Sequence, residues 1–176
     1  MPPVDRSRLE TELKGLHAQS WGWALACAGR DRDLAQDVLQ TAYVRMVSGE
    51  ARWDERSTFR TWVFGVIRMV GLEELRRGRR SAARLNGEEG ALVEPDPAPG
   101  PDILSERSER AAALAEALGT LSARQQEVLL LVFYHGLTID EAARVMKVSL
   151  GSARTHYKRG KANLAVEIAH LREDVK

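Results

Sequence analysis

A cation-rich stretch near the C-terminal end carries the residue types best suited to chemistry. Residues 150–161 contain four lysine or arginine side chains and no acidic residue. At helical spacing, one side of this stretch holds Ala153, Tyr157, Gly160 and Leu164. The other side holds Ser152, Arg154, Thr155, His156, Lys158, Arg159 and Lys161. Such a face can hydrogen-bond to base edges and pair with phosphates, so the pattern predicts contact with DNA.

Position along the helix divides this polar set into two roles. Arg154, Thr155 and His156 are placed for base edges, because a recognition helix meets the bases near its N-terminus. The members better placed for phosphates are Ser152, Lys158, Arg159 and Lys161. A basic amphipathic helix can also be an ordinary solvated surface. The residues that precede this helix in the sequence decide between a DNA-binding face and a solvated surface.

The preceding residues predict a helix-turn-helix. Thr138 with Glu141 three residues later has the pattern of a capping box, which opens a short helix to about Met146. Residues 147–149 form a tight turn, and Ser149 caps a second helix from 150 to about 171. Alanines at 142 and 143 suit a close helix crossing. Cap, turn and small residues together favour DNA contact over a solvated surface.

A second polar constellation lies in the N-terminal half. Spacings of three, four and seven residues place four side chains on one helical face: Asp33, Gln36, Asp37 and Gln40. The opposite face carries the apolar stripe Leu34, Val38, Ala42 and Met46. We therefore expect a helix from Asp31 or Asp33 to about Val47. By residue types alone, its polar face is either a docking surface or a merely solvated one.

A third helix should begin after Thr58, which we interpret as its N-cap, and end in the basic run 76–80. Its expected buried face comprises Phe59, Trp62, Val63, Val66, Ile67 and Val70. The candidates for phosphate contact here are Arg60, Arg68, Arg76 and Arg77. In the preceding loop, 48–57, Trp53 is either a stacking surface for an unpaired base or an ordinary packed tryptophan.

Proline divides the chain. Beyond residue 3, every proline lies between 95 and 101, in a stretch rich in glycine and acidic side chains. We interpret 82–104 as a flexible, semi-extended linker between a domain at 1–81 and another at 105–176. The predicted fold class is all-α: two small helical domains, a three-helix domain and a helix-turn-helix domain, joined by an acidic, proline-rich linker.

Two further helices complete the expected domains. The first domain should open with a helix from about Arg8 to Ala28. The second should open with a helix from about 108 to 118, followed by one that a capping box of Ser122 and Gln125 begins. The apolar run 128–133 belongs to that helix, which Gly136 closes.

Composition excludes several other classes of protein. The single cysteine excludes an internal disulfide framework, and the four histidines lack the spacing of a metal site. The sequence has no phosphate-cradling glycine loop and no nucleophile elbow, so we expect no enzyme, no cofactor, no metal and no small-molecule substrate. No apolar run approaches the ~20 residues that span a bilayer, which predicts no direct membrane insertion and a cytoplasmic protein.

Several segments resemble the extracytoplasmic-function (ECF, group 4) sigma factors of the sigma-70 family. Residues 121–128 (LSARQQEV), 136–143 (GLTIDEAA) and 148–155 (VSLGSART) are similar to region 4 of that family. Residues 33–38 (DLAQDV) and 59–63 (FRTWV), the latter followed by Ile67, Arg68 and an arginine-rich end, resemble region 2. Met69 departs from the asparagine of many relatives, and Gln126 from a common basic residue.

The resemblance implies partners and roles. Region 4 would read the promoter's −35 element and region 2 would read and melt the −10 element, with Trp53 in the loop that accepts flipped-out bases. The face bearing Asp33, Gln36, Asp37 and Gln40 would bind the clamp helices of core RNA polymerase. The acidic linker would lie in a polymerase channel or act as a passive tether. A separate anti-sigma factor would grip both domains.

Two other classes of protein remain compatible with parts of the pattern. One is a DNA-binding regulator that never joins polymerase, against which the region 2 signature counts. The other is a sigma mimic that captures an anti-sigma factor, against which the intact basic helix counts. Binding to core polymerase separates the first from a sigma factor, and DNA protection by Arg154 and Arg159 separates the second.

Overall fold

The computed structural model describes residues 6–86 and 116–173. The chain divides near residue 95 into two compact units. Every regular element within the described ranges is helical. The predicted all-α class is therefore confirmed. Among residues 6–86 and 116–173, none of the helices combines the length and the apolar character that a membrane span requires.

Three mutually packed helices form the N-terminal unit: α1 (Arg6–Cys27), α2 (Arg32–Val47) and α3 (Phe59–Asn86). Asp31 is the N-cap of α2, and its carboxylate accepts from the backbone N–H groups of Asp33 and Leu34 at 3.0 Å each. The buried face of α2 comprises Ala35, Val38, Leu39, Ala42 and Met46. The apolar stripe expected from the sequence thus packs inward, with Leu34 half-buried at its start.

Two close contacts join α1 to α3. The fully buried Trp23 donates from Nε1 to the carbonyl of Phe64 at 3.0 Å, and the two rings stack at 5.8 Å. About two turns further along α3, a β-carbon added at Gly71 would lie 3.0 Å from Cβ of the buried Cys27. Glycine therefore permits the backbones of α1 and α3 to approach each other here.

The third helix is longer than the sequence pattern predicts. It continues to Asn86, past the basic run at 76–80 where we expected it to end. Gly78 weakens a helix by only about 1 kcal/mol, and the alanine, arginine and leucine residues that follow are strong helix formers. The first residues of the expected linker, 82–86, are therefore helical, and the rest of it lies outside the described residues.

Within the C-terminal unit, residues 116–119 are helical, while the earlier part of the helix expected at 108–118 lies outside the described residues. Next come α4 (Ala123–Leu129), continued by a π-helical turn (Leu130–Tyr134), then α5 (Ile139–Met146) and α6 (Leu150–Glu173). Gly136, with φ of +65°, closes the turn after the π-helical residues, as expected. The core of this unit includes Ala117, Leu121, Val128, Leu129, Leu131, Leu137, Ala142, Val145, Met146 and Ala153.

The capping box predicted at Ser122 is wrong. Ser122 has the extended backbone of an N-cap, yet its side chain makes no capping hydrogen bond. Gln125 uses its Oε1 atom to accept from Nδ2 of Asn163 on α6, at 3.2 Å. A tertiary contact has therefore taken the side chain that the local motif needed. The neighbouring Gln126 is buried and donates to the Leu121 carbonyl at 2.8 Å, which suits a neutral side chain at this position.

Candidate nucleic-acid interface

The first helix of the predicted helix-turn-helix begins as the sequence indicates. The Thr138 hydroxyl accepts from the backbone N–H of Glu141 at 3.2 Å, and the Glu141 carboxylate accepts from the N–H of Thr138 at 2.9 Å. This reciprocal capping box starts α5 and confirms the prediction at these two residues. Asp140 pairs with Arg144 one turn later, at 3.0 Å.

A tight turn connects α5 to α6. Lys147 ends α5 in the left-handed region, with φ of 54° and ψ of 46°. The N–H of Val148 then donates to the carbonyl of Ala143 at 3.0 Å, which satisfies one of the last carbonyls of α5. Ser149 starts α6 by accepting from the N–H of Ser152 at 3.1 Å. The turn and cap therefore set the direction of α6 over a few residues.

The inner side of α6 packs against α4. Ala153 and Gly160 are buried, and Tyr157 and Leu164 are half-buried, in agreement with the expected inner side. A β-carbon at Gly160 would lie 3.2 Å from both Gln125 Cβ and Leu129 Cδ1. A side chain at the helix crossing would require Gln125 or Leu129 to shift by a few tenths of an ångström, so glycine permits this close approach of α6 to α4.

The outer side of α6 presents its polar set to solvent. Six members are exposed: Ser152, Arg154, Thr155, Lys158, Arg159 and Lys161. His156 is half-buried. Two hydroxyls make contacts within the helix, since Thr155 donates to the Gly151 carbonyl at 2.9 Å and Ser152 shares a hydrogen bond with Ser149. The structure thus brings the four cations together on one exposed face.

An aromatic pair beside α6 was missed by the sequence analysis. Phe133, 62% exposed, stacks on Tyr157 with 5.8 Å between ring centroids, and Nζ of Lys161 lies 5.4 Å from the Tyr157 centroid. In the sequence analysis, Phe133 falls in the apolar run 128–133 of the helix predicted after Ser122. Phe133 lies in the π-helical turn, for which the sequence offers no signal.

The polar face of α2 is exposed along its length. All four predicted residues, Asp33, Gln36, Asp37 and Gln40, are solvent-exposed and lie opposite the core stripe. Val44 continues this face one turn beyond Gln40 and is 60% exposed. The sequence analysis missed Val44 because it followed only polar residues.

Trp53 lies in a cluster of three aromatic side chains. Its ring is half-buried, 5.3 Å from Phe59 and 6.5 Å from Trp62, and its Nε1 donates to the Ser57 carbonyl at 3.0 Å. Most of the Trp53 side chain therefore packs against its neighbours, as an ordinary structural tryptophan does. The rest of its surface is accessible to solvent. Phe59 and Trp62, expected in the core, are also only half-buried.

The arginines of α3 differ in exposure. Arg60 and Arg76 are half-buried, and Arg77 is exposed and pairs with Glu74 at 2.9 Å. Arg68 is only 4% exposed. An interior guanidinium cannot reach a phosphate on the surface, so the structure contradicts the phosphate contact predicted for Arg68. Helical periodicity had placed it just outside the apolar stripe, and the stripe is wider than the pattern suggested.

Comparison with known families covers both units. The family described as Sigma-70 region 2 matches residues 16–81, and the family described as Sigma-70, region 4 matches residues 111–164. Together the two matches span most of the chain. The first match lies within the three-helix unit, and the second includes α4, α5 and the first part of α6.

Individual relatives agree. The chain is 26% identical over 148 residues to the ECF RNA polymerase sigma factor SigX of Bacillus subtilis, covering 83% of this chain and 76% of that one. It is 29% identical over 153 residues to the RNA polymerase sigma factor CnrH of Cupriavidus metallidurans, covering 82% and 80%.

Solved structures share the fold. The sigma factor RpoE of Bartonella quintana, in complex with the anti-sigma factor NepR, aligns with a TM-score of 0.66 at 19% identity, covering 92% of this chain and 96% of that one. CnrH in complex with the cytosolic domain of CnrY aligns with a TM-score of 0.59 at 23% identity, covering 93% and 90%. With both sigma regions matched in sequence, the chain belongs to the sigma-70 family as an ECF-type RNA polymerase sigma factor, and it acts in promoter-specific initiation of transcription.

Proposed function

We propose that α6 reads the −35 element of the promoter while the N-terminal unit binds core polymerase and the −10 element. The observation that carries the proposal is the cation-rich outer face of α6, which a capped helix-turn-helix and the close crossing at Gly160 hold in place. A rigid helix with one cationic face can enter the major groove without first paying the entropy of ordering.

The contacts of α6 divide by position. Arg154, Thr155 and His156 near its N-terminus meet base edges. Phosphates are contacted by the remaining polar residues, Ser152, Lys158, Arg159 and Lys161. Each phosphate contact releases counterions, so affinity falls steeply as salt rises. The absence of acidic side chains from 150–161 avoids repulsion of the DNA backbone.

The exposed face of α2 is the proposed contact with core polymerase. Asp33 and Asp37 supply negative charge, Gln36 and Gln40 supply amide donors and acceptors, and all four point away from the core. The partner surface is the clamp helices of the largest subunit. Charged and polar groups that complement those of a partner orient the two proteins as they meet and raise the rate of association.

The loop 48–57 and the start of α3 form the proposed −10 interface. Trp53 offers its accessible ring surface to an unpaired base. Arg60, Arg76 and Arg77 contact phosphates. The polymerase supplies the catalysis of RNA synthesis, and this chain supplies sequence recognition and part of the energy of duplex opening, with no enzymatic activity or cofactor of its own.

Regulation and location follow from this role. The related sigma factors RpoE and CnrH were solved in complex with NepR and with the cytosolic domain of CnrY. We propose that an anti-sigma factor likewise binds this chain and blocks its access to polymerase. The segment 82–104 tethers the two units, so that two moderate DNA contacts reinforce each other. Because RNA polymerase and the chromosome are in the bacterial cytoplasm, we expect the chain to act there.

In vitro transcription with core polymerase tests the proposal. The purified chain should direct initiation from a subset of a promoter library, and Arg154→Ala should abolish discrimination at the −35 element. Arg159→Gln should lower the slope of log affinity against log salt by about 0.9, the value for one phosphate contact. Lys14→Gln, which removes an exposed cation from α1, is the matched control and should leave both unchanged. Failure to form a holoenzyme or to start RNA anywhere would refute the proposal.

A further inference from the structure

Arg45 contacts two separate parts of the N-terminal unit. It lies near the end of α2, immediately before the loop 48–57, and its side chain is 20% exposed. Its Nη2 lies 2.7 Å from Oε2 of Glu73 on α3, and its Nε lies 3.4 Å from Oε1 of Glu50 in the loop. Its backbone carbonyl also accepts from the N–H of Ala51 at 2.8 Å. The Arg45 side chain therefore joins the loop to α3, and its backbone carbonyl joins the loop to the end of α2.

The two carboxylates hold the guanidinium with different strength. The Glu73 contact is short and partly shielded, and hydrogen bonding to Glu73 raises the pKa of Arg45 above its ordinary value. Glu50 is 66% exposed, so its ion pair adds little to the free energy of unfolding. The Glu50 contact can therefore be removed with little effect on folding.

The loop is anchored again on its far side. Trp53 packs against Phe59 of α3 and donates to the Ser57 carbonyl at 3.0 Å. The chain turns at Gly49, just before the Glu50 and Ala51 contacts, and again at Glu55, after Trp53, with φ values of 80° and 59°. The polar side chains of the loop are left exposed: Arg52, Asp54, Glu55 and Arg56. The contacts of Arg45 and Trp53 thus hold the loop to α2 and α3, while these polar side chains face solvent.

We propose that Arg45 is a positioning residue for promoter recognition: it sets the loop 48–57 relative to α3, so that both meet the −10 element in one register. This inference rests on the proposed function of the N-terminal unit. If Arg45 served only to join α2 to α3, Glu73 would suffice as its partner. The second carboxylate, Glu50 of the loop, is what assigns the Arg45 side chain to the loop. The Ala51 hydrogen bond to the Arg45 carbonyl holds the same part of the loop beside the end of α2.

Selectivity at the −10 element tests the assignment. The quantity to measure is the ratio of initiation rates on a preferred −10 element and on singly substituted ones, beside the same ratio for the −35 element. Glu50→Gln should lower the −10 ratio by about two- to fivefold, the range of an exposed ion pair, and leave the −35 ratio, core affinity and melting temperature unchanged. Arg45→Lys should do the same, because one ammonium cannot span both carboxylates. Glu12→Gln, in an exposed pair with Arg8 on α1, is the matched control.

Hydrogen exchange supplies a second readout that does not depend on transcription. The Ala51 amide should exchange faster in Glu50→Gln and Arg45→Lys, while amides in the middle of α3 keep their protection. If the wild-type chain directs transcription and the two variants leave the Ala51 exchange rate or the −10 ratio unchanged, the positioning role of Arg45 is overturned. The proposed function of the N-terminal unit would not be affected by that result. A wild-type chain that starts no RNA with core polymerase would refute the proposed function instead.

Discussion

Gly160 of α6 lies so close to Leu129 of α4 that a β-carbon at position 160 would be 3.2 Å from the Leu129 Cδ1 atom. The contact occurs where the inner side of the cation-rich helix crosses the core of the C-terminal unit. It fixes how far the outer face of α6 stands from that core. Substitutions at such contacts in the C-terminal unit should therefore change its free energy of unfolding by amounts that the observed geometry predicts.

Gly160→Val should destabilise the C-terminal unit by about 1–3 kcal/mol, because a branched side chain must displace Leu129 or push α6 outward. Chemical denaturation followed by circular dichroism measures the change in unfolding free energy. Ala162→Val adds the same branching on the exposed side of the helix and should cost only about 0.5 kcal/mol through helix propensity. Equal costs for the two variants would mean that the crossing is not tightly packed.

Thr138→Ala should cost about 1 kcal/mol of unfolding free energy, because it removes the hydroxyl that accepts from the Glu141 N–H and donates to the Glu141 carboxylate. Ser122→Ala, at the N-cap of α4, is the natural control. The Ser122 side chain makes no capping bond, so its removal should change the unfolding midpoint very little. A loss at Ser122 as large as that at Thr138 would contradict the structure.

Lys147→Gly should stabilise the C-terminal unit by about 0.5–1 kcal/mol. Lys147 adopts the left-handed backbone conformation, which costs a residue with a β-carbon more than it costs glycine. Thermal unfolding of the two forms gives the difference. Lys147→Ala removes the charge but keeps the β-carbon, and should show no gain. A stabilised alanine variant would point to charge as the cause.

Alkaline pH should weaken the N-terminal unit through Tyr43. Burial raises the pKa of the Tyr43 phenol above its ordinary value, because desolvation disfavours the phenolate. The stabilisation from the neutral phenol is therefore fully present below the unfolded pKa of about 10 and is lost as pH rises through the higher folded pKa. Between pH 8 and 11 the melting temperature of the wild type should fall further than that of Tyr43→Phe. Parallel curves would show that this phenol titrates alike in both states.

Capping shows why some local predictions succeeded. The boxes at Thr138 and at Ser122 have the same spacing in sequence, and only the first one forms. Bonds between residues three apart need no other part of the chain, so the Thr138 motif is readable from sequence. At Ser122 the required Gln125 side chain bonds to Asn163 instead, a residue that only the packing of α6 brings near.

The observed burial of individual side chains shows the limits of predictions made from helical periodicity. The apolar stripe of α2 and the inner side of α6 follow from helical spacing, and the structure confirms both. Spacing does not state how wide a buried face is or where a helix changes its period. For that reason Arg68 was predicted to contact phosphates and lies inside, while Phe59 and Trp62 were predicted in the buried face of α3 and are only half-buried.

The residue pattern alone determined the all-helical class, the helix-turn-helix and the cationic face of α6, because each depends on residues a few positions apart. Only the tertiary structure decided the spacing at Gly160, the interior place of Arg68 and the bridge from Arg45 to Glu50 and Glu73. Contacts of the second kind join residues on different elements. Their existence depends on how those elements pack, which no short-range pattern records.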